Sequence, residues 1–164
     1  MNKYIFLDID GVLNHSGEDF KRYKFQVNPP YGRYVHVEFS HNNIGAFNKL
    51  IDLIGEDKIY IVISSTWRKL FTIAELMFIF KNMGIKGNII GKTKDLGIAR
   101  GYEIQEYIDN HDVSHYVILD DDSDMVFPEL IEHFVQTNSW YDQINGGFID
   151  EHIPEVLEKF KVRS

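Results

Sequence analysis

A chain of 164 residues that is 44% hydrophobic and 26% charged has the makeup of one soluble globular domain. It contains no cysteine, which excludes disulfides and thiolate metal sites, and no apolar run approaches the roughly 20 residues that span a bilayer. Its formal charge of −8 argues against a broad electrostatic grip on nucleic acid, while leaving room for a local basic groove.

Acids stand in the opening MNKYIFLDIDGV where a signal peptide carries its apolar stretch, so a cytoplasmic location is expected. The expected organisation is a single domain over 1–164 with an excursion at 15–40. Lys3 to Ile9 reads as a strand, dense in apolar residues and covered on both faces. His15 to Ser40 follows, with Asn28-Pro29-Pro30-Tyr31-Gly32 between FQV and YVHVEF, and reads as a hairpin or flap. A helix is predicted over His41 to Ile54 and a strand over Asp57 to Ser64. Next come a helix over Thr72 to Met83, a short strand over Gly87 to Gly91 and a helix over Gly101 to Asp109. Ser114 to Asp120 is a third strong strand, Glu132 to Thr137 a shorter one, and Glu151 to Phe160 a closing helix. Gly55 and Gly84 are the stop signals of the first two helices. Alternation of this kind predicts an α/β fold, a parallel sheet with helices on both faces.

Ligands of such sheets gather at the carboxyl ends of the strands. Three strands end in functional groups: Asp8-Ile9-Asp10-Gly11, Ser64-Ser65-Thr66, and Asp120-Asp121-Asp122-Ser123-Asp124. The run FLDIDGVLN resembles the first motif of the haloacid dehalogenase (HAD) superfamily. Asp8 would attack phosphorus to form an aspartyl-phosphate, and Asp10 would protonate the leaving oxygen and then activate water. Gly11 would let the chain turn away without a side chain blocking the site. The same acids would also suit a strand end and turn. VISSTWRK resembles the second motif: the Ser64 hydroxyl would hold phosphoryl oxygens, with Ser65 and Thr66 as added donors. Trp67 and Arg68 are candidates for substrate contact, Trp67 equally for the core.

VILDDDSD resembles the fourth motif. Four carboxylates in five positions repel one another unless a cation neutralises them, which points to Mg²⁺ as cofactor. Asp8, Asp10 through its backbone carbonyl, Asp120 and Asp121 are the candidate ligands, with Asp124 as support. The superfamily also implies a cation on the phosphate, for which Arg100, Lys94 and Lys92 all qualify; the planar fork of Arg100 suits phosphate oxygens.

The resemblance runs from Met1 to about Asn138 and implies a three-layer Rossmann-like sheet, with the flap after the first strand. Neither Asp10 to Ser64 nor Ser65 to Arg100 has room for a full cap domain, which leaves an open site. STWR, RGYEI and LDDD further resemble the superfamily branch linked to nucleic-acid repair. The implied activity is phosphomonoester hydrolysis on a nucleotide or a nucleic-acid terminal phosphate. Flap residues Lys21, Arg22, Lys24 and Arg33, interleaved with Phe20, Tyr23, Phe25, Tyr31 and Tyr34, would contact such a substrate or else pack the flap onto the body. A sugar or metabolite phosphatase is the alternative enzyme. The non-enzymatic alternatives are a catalytically silent relative that binds phosphate and a receiver-like signalling domain, the latter disfavoured because its acidic pair would lie on the first strand whereas here the dense cluster comes late.

Overall fold

The computed structural model describes residues 1–162. Five parallel strands form the main sheet: β1 (Lys3–Leu7), β4 (Ile59–Ile63), β5 (Asn88–Lys92), β6 (Tyr116–Asp120) and β7 (Phe134–Gln136). Their order is β5-β4-β1-β6-β7, so the chain first builds outward from β1 on one side and then crosses to the other. That reversal opens a crevice at the carboxyl end of β1, the usual ligand position in such sheets. The ladders pair Leu7 with Ile63 on one side and with Leu119 on the other. Asp8, Ser64 and Asp120, each the next residue, therefore emerge side by side. The backbone N–H of Ser64 donates to the carbonyl of Leu7 and that of Asp8 to the carbonyl of Leu119, both at 3.0 Å.

Alternation along the strands separates two apolar layers. Ile5, Leu7, Ile61, Ile63, Val117 and Leu119 face α1 (His41–Ile54), α2 (Ile73–Met83) and α5 (Ile153–Lys159). Phe6, Val62, Tyr116 and Ile118 face α3 (Arg100–Asp109) and the short α4 (Pro128–Ile131). A sheet covered on both sides explains why its strands read as nearly continuous apolar runs. Thr72 and Glu75 form a capping box that starts α2, and Gly84, in the left-handed region at φ +69°, stops it.

The expected flap is a two-stranded antiparallel hairpin of β2 (Phe20–Gln26) and β3 (Tyr34–Ser40), separate from the main sheet. Val27, Val35, Val37 and Phe39 seat it in the α1/α2 layer, and β3 runs straight into α1. Differences from expectation lie at element ends. β1 stops at Leu7 instead of Ile9, because from there the chain turns: the N–H groups of Val12 and Leu13 both donate to Ile9. The starts expected at Asp57 and Glu151 are 3₁₀ turns over Glu56–Lys58 and Asp150–His152. The four residues of α4 are too few to show a helical period and were not foreseen.

His133 is buried between these layers, its ring stacked on Tyr116 at 3.9 Å and its Nδ1 3.0 Å from the Tyr116 carbonyl. Burial holds its pKa below the ordinary value of 6.5. The unfolded chain therefore takes up a proton before the folded one, so stability is full above about pH 6.5 and declines as pH falls through the depressed value. Urea midpoints measured from pH 7 to pH 5 should fall, and His133→Phe should flatten that fall; an equal slope in the variant would assign it to other groups.

Candidate active site

Asp8 and Asp120 are both buried, and between them lies the Arg100 guanidinium. Its Nη1 stands 3.2 Å from Asp8 Oδ2 and also donates to Asp120 Oδ2. Arg100 reaches this point because it opens α3, whose first backbone N–H donates to Asp124 Oδ2 at 3.1 Å. Asp120 is fixed further by the Asp122 N–H on its Oδ1 at 2.9 Å. Asp121, half-buried, offers a carboxylate oxygen to the same group, and the ligand atoms of Asp8, Asp120 and Asp121 all lie within 4.8 Å of one another. Asp121 is oriented by the Trp140 N–H, 3.2 Å from its Oδ2.

Burial, then the charge of Asp120, pushes the Asp8 carboxyl well above the ordinary carboxylate range, and Arg100 only partly offsets them. Burial raises Asp120 and Asp121 as well. Burial alone would weaken the charge on Arg100, yet Asp8 and Asp120 outweigh it and raise its pKa. With all three ionised, three carboxylates face one guanidinium, a residual charge of −2. A divalent cation with a taste for oxygen ligands complements that arrangement, and the donor set fits Mg²⁺.

The turn after β1 is built for close approach. Gly11 has φ +81°, and a Cβ there would stand 2.1 Å from Asp121 Oδ2, so a larger residue fails on both counts. Asn14 accepts the Gly11 N–H at 3.1 Å and donates to Asp10 Oδ1 at 2.9 Å, while Trp67 Nε1 donates to Asp10 Oδ2 at 3.2 Å. Thr137 donates to the Gly11 carbonyl at 2.6 Å. Across the crevice Ser64 is fully buried, and its hydroxyl has no partner among the described residues. Ser65 caps the following turn, Oγ accepting the Trp67 N–H at 3.2 Å, and Thr66 is exposed.

The remaining candidates are placed elsewhere. Asp10 is exposed and lies outside the three-carboxylate group; its carboxylate is held by Asn14 and Trp67. Asp124 is outside that group too, because it caps α3. Lys94 turns to the surface and pairs with Glu106 at 2.9 Å, and Lys92 donates to the carbonyls of Arg68 and Phe71. Trp67 is buried against Phe39 and Phe71. In the flap, Tyr23 and Phe25 pack on the core and Arg22 and Arg33 pair with Glu38 and Glu75, leaving Tyr31 and Tyr34 exposed. Asn14, Glu103, Thr137 and Trp140 were not foreseen. Only Asn14 had a signal, its position within FLDIDGVLN four residues past Asp10.

Arg68 is buried and acts as an internal tie. Its Nη1 donates to the carbonyls of Ser64 at 3.2 Å and Ser65 at 2.8 Å; its Nη2 pairs with Glu103 of α3 at 2.7 Å. Glu103 also accepts the Leu96 N–H at 2.8 Å. One pair thus fixes the serine loop, α3 with its Arg100, and the segment between β5 and α3. Removing one partner of a buried pair leaves a charge without compensation. Glu103→Ala should cost about 3–5 kcal/mol in urea denaturation; a loss below about 1 kcal/mol would mean that Arg68 is satisfied without it.

Against known proteins, residues 4–141 match the family model described as the HAD domain in Swiss Army Knife RNA repair proteins. No curated protein and no solved structure matches the chain. The matched span runs from β1 past β7 and takes in all three acids, the serine loop and Arg100. The chain belongs to the HAD domain family of Swiss Army Knife RNA repair proteins, a family of hydrolase type.

Proposed function

We propose that the chain is a Mg²⁺-dependent phosphomonoesterase that works through an aspartyl-phosphate on Asp8, with a nucleotide or nucleic-acid terminal phosphate as substrate. The observation that carries this reading is the buried Asp8–Arg100–Asp120 bridge, with Asp121 within 4.8 Å and the unpartnered Ser64 hydroxyl on the neighbouring strand. Membership in an RNA-repair family supports a nucleic-acid phosphate over a sugar phosphate.

A carboxylate oxygen of Asp8 attacks phosphorus as the bond to the leaving oxygen breaks, and Asp10 gives its proton to that oxygen. Asp10 then takes a proton from water, whose oxygen displaces Asp8 and releases inorganic phosphate. Asn14 and Trp67 hold Asp10 in position, each donating to one of its carboxylate oxygens. Ser64, with the N–H groups of Ser65 and Thr66, accommodates the phosphoryl oxygens, and Arg100 offsets the charge that grows on them. Mg²⁺, held by Asp8, Asp120 and Asp121 with the Asp10 carbonyl, would supply further positive charge to the phosphoryl group. Arg100 keeps the Asp8–Asp120 pair poised in the meantime.

Purified protein should release phosphate from a panel of phosphorylated oligonucleotides, nucleoside monophosphates and sugar phosphates, with the rate depending on the nucleoside. EDTA should abolish that release and Mg²⁺ restore it. Asp8→Asn should lower turnover by about four orders of magnitude with the fold kept, and Asp10→Asn should be similarly inactive. Turnover retained in Asp8→Asn would sink the mechanism.

A further inference from the structure

At the carboxyl ends of the sheet Lys69 follows β4 and Arg100 follows β5, whereas Asp120, Asp121, Asp122 and Asp124 stand at β6. On the β4/β5 side a cleft of about 320 Å³ is lined by Thr66, Lys69, Asp95, Ile98, Arg100 and Asp124 among others, the buried Arg68–Glu103 pair included. It adjoins the reacting centre through Arg100, which lines it and also touches Asp8 and Asp120. A larger cavity of about 680 Å³, lined by His15, Glu18, Asp19, Gln143 and Ile144 among others, contains no Lys or Arg and none of the three acids, and so offers nothing to a phosphate.

The contents of the smaller cleft suit a sugar–phosphate backbone. Thr66 presents an exposed hydroxyl with no partner of its own among the described residues. Lys69 is held only by Asp95 at 3.3 Å, with both side chains about half exposed. A pair of that kind is worth little and is readily exchanged for a phosphodiester. Leu96 and Ile98 stand out into solvent from the neighbouring loop. On the other side of β1 the acids would repel a second phosphate. A strand end with its terminal phosphate at Asp8 can leave between the Thr66–Lys69 turn and the loop before α3, where Lys69 would meet it.

We infer that this cleft holds the internucleotide phosphodiester next to the terminal phosphate, through Lys69 and Thr66, so that the substrate is the end of a polynucleotide rather than a free mononucleotide. The inference rests on the phosphatase reading for its terminal phosphate, and the adjoining phosphodiester is its own addition.

The test uses the full chain and Lys69→Ala with three substrates: p-nitrophenyl phosphate, a nucleoside monophosphate, and a single-stranded trinucleotide ending in the same phosphorylated nucleoside, in 3′ and 5′ forms. The wild type should show kcat/KM about tenfold higher on one trinucleotide than on the matching monophosphate, the worth of one charge-assisted contact. Lys69→Ala should erase that advantage through KM, losing about tenfold more on the trinucleotide than on p-nitrophenyl phosphate. Equal kcat/KM on the mononucleotide and both trinucleotides, or an equal loss on all substrates, would overturn it. In parallel, anisotropy of a labelled phosphorylated oligonucleotide on Asp8→Asn, titrated with salt, should show the slope of log K against log[salt] reduced by about 0.7 when Lys69→Ala is added; an unchanged slope also overturns the inference. If no phosphate ester is hydrolysed by the wild type, the phosphatase reading fails by itself, and the salt slope still decides whether a phosphodiester meets Lys69.

Discussion

The site depends on one geometrical constraint: three parallel strands end in register. With Leu7 opposite both Ile63 and Leu119, the first residue beyond each ladder is Asp8, Ser64 or Asp120. Their alignment follows from backbone hydrogen bonding, so three segments more than fifty residues apart in the chain deliver functional groups to one place without any of them having to reach. Asp8 on the central strand and Asp120 on its neighbour are both buried, and burial is the leading cause of the raised carboxyl pKa values there.

Such a concentration of buried acid has to be offset from outside the sheet. Arg100 does this from the first turn of α3, in contact with Asp8 and Asp120 together. Its position depends in turn on Asp124, which caps the same helix, and on the Arg68–Glu103 pair, which ties that helix to the serine loop. Residues that looked interchangeable as cations or acids thus divide into those that face the crevice and those that hold the facing ones in place. Asp124 and Arg68 belong to the second kind: Asp124 accepts the first backbone N–H of α3, and Arg68 donates to the carbonyls of Ser64 and Ser65 while pairing with Glu103.

Charge on this rim is distributed by strand order. Lys69 comes after β4, Asp95 and Arg100 after β5, and Asp120, Asp121, Asp122 and Asp124 at and after β6. An overall charge of −8 hides this arrangement, since a net value carries no information about which side of a crevice the charges occupy.

Local chemistry in the chain settled a good deal. Dense apolar runs and the period of 3.6 gave the five strands and the longer helices, glycines at 55 and 84 marked helix ends, and the prolines and glycine at 29–32 marked the hairpin turn. The order and type of the groups at the strand ends were equally plain, because DxDG, SST and DDDSD are contiguous and each follows an apolar run. Which cation turns inward was not legible: Arg100, Lys94 and Lys92 lie within nine positions, and their fates are set by Asp8 and Asp120, Glu106, and the carbonyls of Arg68 and Phe71 respectively. Nor could Glu103 or Trp140 be found, since each acts on a residue at least nineteen positions away through a contact that leaves no local pattern. The sequence by itself determined the elements and the functional groups that end them, for these follow from short-range backbone preference and hydrophobic period. Tertiary structure alone decided which of those groups share a site and which support it, because side-chain pairing is a long-range competition for charge and hydrogen bonds that is resolved only once the sheet has closed.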